Sequence, residues 1–230
     1  MKDIKMIDLA LYLPAHKALV IADSHIGYEE SLQRQGVMVP MMQLKDILKR
    51  LGNILSKVEV EQIIFNGDIK HEFGRISRQE WKETFELLDF LQKHSKVVLV
   101  KGNHDTILGP LAMRKNLEIR DYAVLGDVFI THGHKNYEIP KEVKTVIIGH
   151  EHPAITLHEG GRYEKYKCFL IGKYKRKRLI VIPSLLQVTE GTDILKEEVL
   201  SPYLKQSLDN FEVFIAGDKI YGFGKLKNLR

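Results

Sequence analysis

Cysteine is almost absent from this 230-residue sequence: Cys168 stands alone. One thiol rules out an internal disulfide and any multi-thiolate metal cage. Its place in the apolar run Cys168-Phe169-Leu170-Ile171 predicts a buried small hydrophobe in a reducing compartment. No apolar run approaches the roughly 20 residues that a membrane helix needs. The opening Met1-Lys2-Asp3-Ile4-Lys5-Met6 mixes charges where a signal peptide would carry its apolar core. Glycine and proline are few, with no repeat and no low-complexity tract. A P-loop, a dinucleotide-binding glycine fingerprint and a defensible Ser-His-Asp order are also missing. The expectation is a soluble cytoplasmic protein with no membrane partner, working through none of those three chemistries.

What is present is an ordinary core-forming composition, 44% hydrophobic and 28% charged, over a length that fits one domain spanning residues 1–230. The net charge of +5 favours an anionic partner. Residues 161–178 concentrate it: Arg162, Lys165, Lys167, Lys173, Lys175, Arg176, Lys177 and Arg178 stand against Glu164 alone, with Tyr163, Tyr166 and Tyr174 between them. Such a segment could follow a nucleic-acid backbone and stack bases, or form a solvated hairpin whose charged edges resist aggregation.

Hydrophobic periodicity organises the chain. Residues 4–11 read as an edge strand broken by Pro14, and Ala18–Ala22 as a buried strand. A polar connection through Gly36 leads to Pro40 at the first turn of a helix. Its apolar stripe is Met41, Leu44, Ile47, Leu48, Leu51, Ile54 and Leu55. Gln62–Phe65 is a short strand, Ser77 with Glu80 a capping box, and Trp81, Phe85, Leu88 and Leu91 a second helical stripe. Strands follow at Val97–Val100 and Val146–Ile148, with a hairpin of Tyr122–Leu125 and Val128–Thr131 between them. Beyond Pro153 the reading is mostly β: Arg162–Gly172, Arg178–Ile182, Phe211–Ala216 and Lys219–Gly224. A βαβα first half and a β-rich second half predict an α/β (α+β-like) fold, a four-layer α-β-β-α sandwich of two mixed sheets flanked by helices.

The apolar runs ending at Ala22, Phe65, Val100, Thr131 and Ile148 each lead into a cluster of Asp, Asn or His. The crevice beyond the carboxyl ends of strands is where open α/β sheets bind ligands. Of ten histidines, His25, His71, His104, His132, His134, His150 and His152 lie in or beside these clusters. Imidazole with carboxylate and carboxamide oxygen suits borderline divalent metals, and Gly102-Asn103-His104-Asp105 gathers three such side chains behind one strand.

Asp23-x-His25, Gly67-Asp68, Gly102-Asn103-His104-Asp105, His132 after a strand, and Gly149-His150-x-His152 together resemble, in order, the motifs of the calcineurin-like metallophosphoesterases. The resemblance spans residues 23–152 and makes 153–230 a mostly β portion of the same domain. It implies two divalent metal ions, manganese foremost, with iron, nickel, cobalt or zinc as alternatives. One would be held by Asp23, His25, Asp68 and His152, the other by Asp68, Asn103, His132 and His150, with Asp68 bridging. His104 would contact the scissile phosphate and assist the leaving oxygen, with Asp105 orienting its ring. Two divalent ions set against the Asp23 and Asp68 carboxylates and a bridging hydroxide would leave a single positive charge, matching the single negative charge of a phosphodiester, and a neutral Asn103 preserves it. His134 is placed behind the metals.

The protein phosphatases of this superfamily follow Gly-Asp with an arginine clamp, which the stretch Gly67-Asp68-Ile69-Lys70-His71 lacks. His71 instead resembles the histidine that assists catalysis in SbcD-type nucleases. The whole pattern is most similar to small SbcD-related archaeal and DNA-ligase-associated bacterial phosphoesterases. The leading expectation is a manganese-dependent DNA/RNA endonuclease of repair or processing, with nucleic acid as substrate, a helicase or repair protein as partner, and a homodimer as an open option. The rivals are a small-molecule (cyclic nucleotide) phosphodiesterase or phosphatase, and a non-enzymatic interaction module on the same fold.

Overall fold

A computed structural model describes residues 4–74 and 76–229; the charged start at Met1–Asp3 lies outside the described residues. The first sheet runs in spatial order β1 (Lys5–Ile7), β2 (Ala10–Leu13), β3 (Ala18–Ile21), β4 (Gln62–Asn66), β5 (Lys96–Val100) and β6 (Glu118–Arg120). Its first three strands are antiparallel and β3 to β6 are parallel. In β3 the side chains alternate between two cores. Leu19 and Ile21 face the helices, while Ala18 and Val20 face the second sheet. A strand buried on both faces has no polar side, which is why this segment reads as a continuous apolar run.

Among the described residues, four helices, α1 (Tyr28–Arg34), α2 (Gln43–Leu55), α3 (Arg78–His94) and α4 (Leu108–Lys115), belong to this half of the chain. Ile47, Leu51 and Ile54 of α2, Leu87, Leu88 and Leu91 of α3, and Leu108 and Leu111 of α4 cover the outer face of the first sheet. Ser77 caps α3 by accepting the Glu80 N–H at 2.9 Å.

The second sheet is ordered β13 (Thr192–Asp193), β10 (Pro153–Glu159), β11 (Arg162–Tyr174), β12 (Lys177–Val181), β9 (Thr145–Ile148), β8 (Val128–Ile130) and β7 (Ala123–Leu125). The pair β14 (Glu212–Ala216) and β15 (Ile220–Lys225) joins it through β11. Ile130, Ile147, Phe169 and Ile180 meet Val20, Ile64 and Val100 across the middle layer. The two mixed sheets therefore lie face to face, with helices outside the first. Over the outer face of the second, the cover is a turn-rich strap carrying Ile194, Tyr203, Leu204, Leu208 and Phe211. Cys168 is free and fully buried in that layer, and burial pushes its thiol pKa up.

Several local expectations are corrected. Residues 4–11 hold two strands rather than one, because Asp8 turns the chain at φ 54° and pairs with Arg50. Helix α2 starts at Gln43 and leaves Pro40 outside. Its first N–H groups are capped from afar by Glu29 Oε1, which accepts from Met42 and Gln43 at 3.0 Å each. The basic turn is only Lys175-Arg176, both at positive φ, closing a two-residue hairpin. The eight cations of 161–178 do not share one face. Lys165 bonds Glu197 and the Gly191 carbonyl, and Lys167 bonds Ser184. Lys177 donates to the carbonyls of Pro140 at 3.1 Å, Lys141 at 3.2 Å, and Val143.

Candidate metal centre

The sheets converge where β3, β4, β5, β8 and β9 end. The Asn66 carboxamide, at the end of β4, donates to the Thr131 carbonyl after β8 at 2.9 Å, joining the two sheets at the rim. Asp23, His25, Asp68, His150 and His152 all sit at positive φ, from 43° to 66°. Left-handed backbone at non-glycine positions is strained and is held by its surroundings, as at many functional sites. The surroundings here are loop-to-loop bonds: Asp23 N to Gly67 O at 3.0 Å, His25 N to Asp68 O at 3.0 Å, and His150 N to Asp23 Oδ2 at 3.1 Å.

Glycine lets these loops close. A Cβ on Gly102 would overlap the carboxylate and backbone N of Asp68, and one on Gly149 would lie 2.7 Å from Asp23 Oδ2. The glycines of Gly-Asn-His-Asp and Gly-His are thus steric requirements of two carboxylates approaching foreign backbone, while Gly67 of Gly-Asp, at φ 86°, leaves room for the His132 ring.

Three donor sets result: Asp23 with His25 and His152, Asp68 with His132 and His150, and, without a carboxylate, His25 with His71 and His104. Asp23 Oδ1 lies 3.4 Å from His152 Nε2 and 3.6 Å from His132 Nδ1, yet it is buried with no hydrogen-bond partner. His25 Nε2 and His152 Nε2 face each other at 3.2 Å. Asp68 Oδ2 stands between His132 Nε2 at 3.2 Å and His25 Nε2 at 3.7 Å, and Asn103 Oδ1 is 3.1 Å from His132 Nε2. An orphaned carboxylate oxygen among converging imidazole nitrogens is a fit for divalent cations. All seven residues expected to ligate are brought to this rim.

The supporting contacts set tautomers. His132 Nδ1 lies 3.0 Å from the Asn66 carbonyl, so its Nδ1–H can donate there and leave Nε2 facing Asp68. Burial alone would lower the His132 pKa, but the Asp68 and Asp23 carboxylates outweigh it and raise the pKa to about 9. Burial, reinforced by His152, pushes His25 well below its ordinary value. Burial and neighbouring His132 bring both His134 and His150 down to about 4. His134 Nδ1 is buried without a partner, its ring 5.3 Å from that of His132.

His104 stands at the open side, its Nε2 4.0 Å from Asp68 Oδ2 and its backbone N–H donating to Asp68 Oδ1 at 2.9 Å. Its Nδ1 rests on the carbonyl of His71. Asp105 does not sit behind this ring. Its carboxylate is filled by backbone N–H groups, Oδ2 by Asp68 at 2.8 Å and Gly102 at 3.0 Å, and Oδ1 by Ile69 at 3.2 Å. His71 adjoins His25 and His104, with ring centroids 5.7 and 5.5 Å away.

Three supporting residues escaped the sequence reading. Lys70 is fully buried and donates to the His104 carbonyl at 2.6 Å and to the Glu72 carbonyl. Glu80 accepts the N–H groups of His71 at 3.0 Å and Glu72 at 2.9 Å. Gln43 donates to the carbonyls of Ser24 at 2.7 Å and His25 at 3.1 Å. Glu80 was visible only as part of a helix cap; Lys70 and Gln43 carried no signal, because buried polar residues look solvent-facing in sequence.

Fold and donor set together define a metal-dependent phosphoester hydrolase. The family model for the calcineurin-like phosphoesterases matches residues 16–180, and the chain belongs to that family. Among solved structures it is similar to the nuclease MPE of Pseudomonas putida, at 24% identity over 94% of this chain and 92% of that one, TM-score 0.65. Weaker likenesses include vacuolar protein sorting 29 of Cryptosporidium parvum, at 16% identity over 90% and 97%, TM-score 0.40. A predicted phosphoesterase of Streptococcus pneumoniae aligns at 16% identity over 89% and 96%, TM-score 0.35. No curated protein sequence matches the chain. No helix among the described residues is long and apolar enough to cross a membrane.

Proposed function

We propose that this chain is a two-metal phosphodiesterase that cuts nucleic acid strands, an endonuclease of repair or processing that prefers manganese and belongs with the small SbcD-related and DNA-ligase-associated phosphoesterases. The observation that carries the reading is the pair of carboxylate-bearing donor sets on one rim, with His104 beside Asp68, whose carboxylate faces His132 of its own set and His25 of the other. Asp23, His25, Asp68 and His152 would hold one ion, and Asp68, Asn103, His132 and His150 the other. When bound, such ions supply a Lewis acid and a nucleophilic water near neutral pH.

The chain's own residues do the rest. The His71 carbonyl holds His104 Nδ1–H, so Nε2 is the atom that meets a phosphoryl oxygen and passes a proton to the leaving oxygen. Asp105 fixes the loops that bring Asp68 and Asn103 together. His71 adds a second imidazole on the phosphate side. A diester is favoured because no arginine follows Asp68 to grip a dianion, and the Pseudomonas putida protein of this fold is a nuclease. A helicase or repair partner and a homodimer belong to the same proposal.

The test is a metal-by-substrate panel of Mn, Co, Ni, Zn and Fe against single-stranded DNA, duplex DNA, RNA, cyclic nucleotides and bis-p-nitrophenyl phosphate. Manganese-dependent internal cleavage of a strand is expected, with His104→Ala at least about 100-fold slower and metal binding retained. Turnover confined to cyclic nucleotides would move the reading to a small-molecule phosphodiesterase. Inactivity throughout would reject it.

A further inference from the structure

Phe73 is 54% exposed, yet its ring centroid lies 3.8 Å from that of His104 at an interplanar angle of 33°. The ring continues a row of flat groups. Tyr28 lies 4.5 Å from His71, His71 stacks 5.5 Å from His104, and Phe73 ends the row at the surface. We propose that Phe73 is a specificity-determining platform on which a nucleobase beside the scissile phosphate stacks, on the His104 side of the cleft. The proposal rests on the phosphodiesterase reading above and names what that site recognises besides phosphate.

The platform is built rather than incidental. Glu80 holds the N–H groups of His71 and Glu72, Lys70 holds the Glu72 carbonyl, and the Thr106 hydroxyl donates to the Phe73 carbonyl. The same Lys70 ammonium grips the His104 carbonyl at 2.6 Å, so one cation locks the loops bearing both rings. A pinned aromatic loses little freedom when a base lands on it. Stacking accepts any base, because every base offers a π-face, and it adds recognition next to a phosphate site that reads none. One face of the ring lies against His104 while the residue stays 54% exposed, so the outer side is open to a base.

The experiment compares three ligands on the manganese-loaded protein: deoxyadenosine monophosphate, 2-deoxyribose 5-phosphate and inorganic phosphate. Wild type should bind the nucleotide about tenfold tighter than the sugar phosphate. Phe73→Ala and Phe73→Leu should collapse that ratio towards one and leave inorganic phosphate binding unchanged. Phe73→Trp should keep the ratio, and its added emission, read against the native Trp81 background, should be quenched by the nucleotide and not by the sugar phosphate.

A ratio near one in wild type, an unchanged ratio in Phe73→Ala, or an equal loss for all three ligands would overturn the proposal. Turnover of bis-p-nitrophenyl phosphate judges the underlying reaction separately. Turnover without a base preference removes Phe73 alone, and a base preference without turnover removes only the reaction.

Discussion

The Asp105 carboxylate receives the backbone N–H of Asp68 at 2.8 Å. With the Gly102 and Ile69 N–H groups on the same carboxylate, it ties the loops after β4 and β5 into one unit. Asp105→Ala would leave two buried donors, the Asp68 and Ile69 N–H groups, unsatisfied at about 1–3 kcal/mol each, together with the half-buried Gly102 N–H. The expected result is a loss of several kcal/mol in denaturant unfolding, with manganese affinity falling about 10–100-fold. Asp105→Asn, which keeps one acceptor oxygen, should fall between. An Asp105→Ala protein of wild-type stability and metal affinity would reject this role.

The legible parts of the sequence share one physical cause. Strands β3, β4, β5 and β9 are buried on both faces, so they read as apolar runs, and their polar ends stand out by contrast. Helices α2 and α3 each carry a one-sided stripe. Helix α1, by contrast, is YEESLQR, with Glu29 its one buried residue, so no stripe marks it. Strand β10 begins at Pro153 directly after the His152 loop and was invisible as a strand start, and β6 is only Glu118–Arg120. At the site, the seven expected ligands carry the side-chain types that chemistry demands. Lys70 and Glu80 act through backbone partners 34 and 8 residues away, which no local pattern encodes.

A bound cation would give the orphaned Asp23 Oδ1 a partner, so metal should stabilise the fold. Adding manganese at about 100 times its dissociation constant should stabilise the protein by about 2.7 kcal/mol, read as a rise in melting temperature that a chelator reverses. Asp68→Asn withdraws the carboxylate that both His25 and His132 face at 3.7 and 3.2 Å. Most of that rise should vanish with it. A melting temperature indifferent to manganese in wild type would count against a metal centre here.

Lys175 and Arg176 join β11 to the amino end of β12, whereas β12 and its parallel neighbour β9 reach the metal rim with their carboxyl ends. The charged turn is therefore at the opposite end of these strands from the site. Replacing the pair by Asn-Gly puts a glycine at one left-handed position and the tolerant Asn at the other and should stabilise the protein by about 1 kcal/mol. Turnover of a short oligonucleotide should be unchanged. A fall in its turnover would show that substrate reaches that end. Lys177 should behave differently, because its ammonium serves three carbonyls; Lys177→Ala should destabilise the protein.

Lys167 projects from β11 with its ammonium 2.7 Å from the Ser184 hydroxyl. Burial lowers its pKa from the ordinary 10.5 to about 8, with Arg50 adding to the fall and Glu190 and Asp23 opposing it. Between these values the unfolded chain holds the proton and the folded chain has released it. Unfolding free energy should therefore rise as pH increases from about 8 to 10.5, level off above, and carry the full penalty below 8. The linked change is at most about 3 kcal/mol. Lys167→Met keeps the stem and removes the titration, so it should be more stable than wild type at pH 7 by part of that amount. The two stability curves should converge as pH approaches 10.5. Urea unfolding of both proteins across this range provides the check, and parallel curves would mean that Lys167 stays charged in the fold.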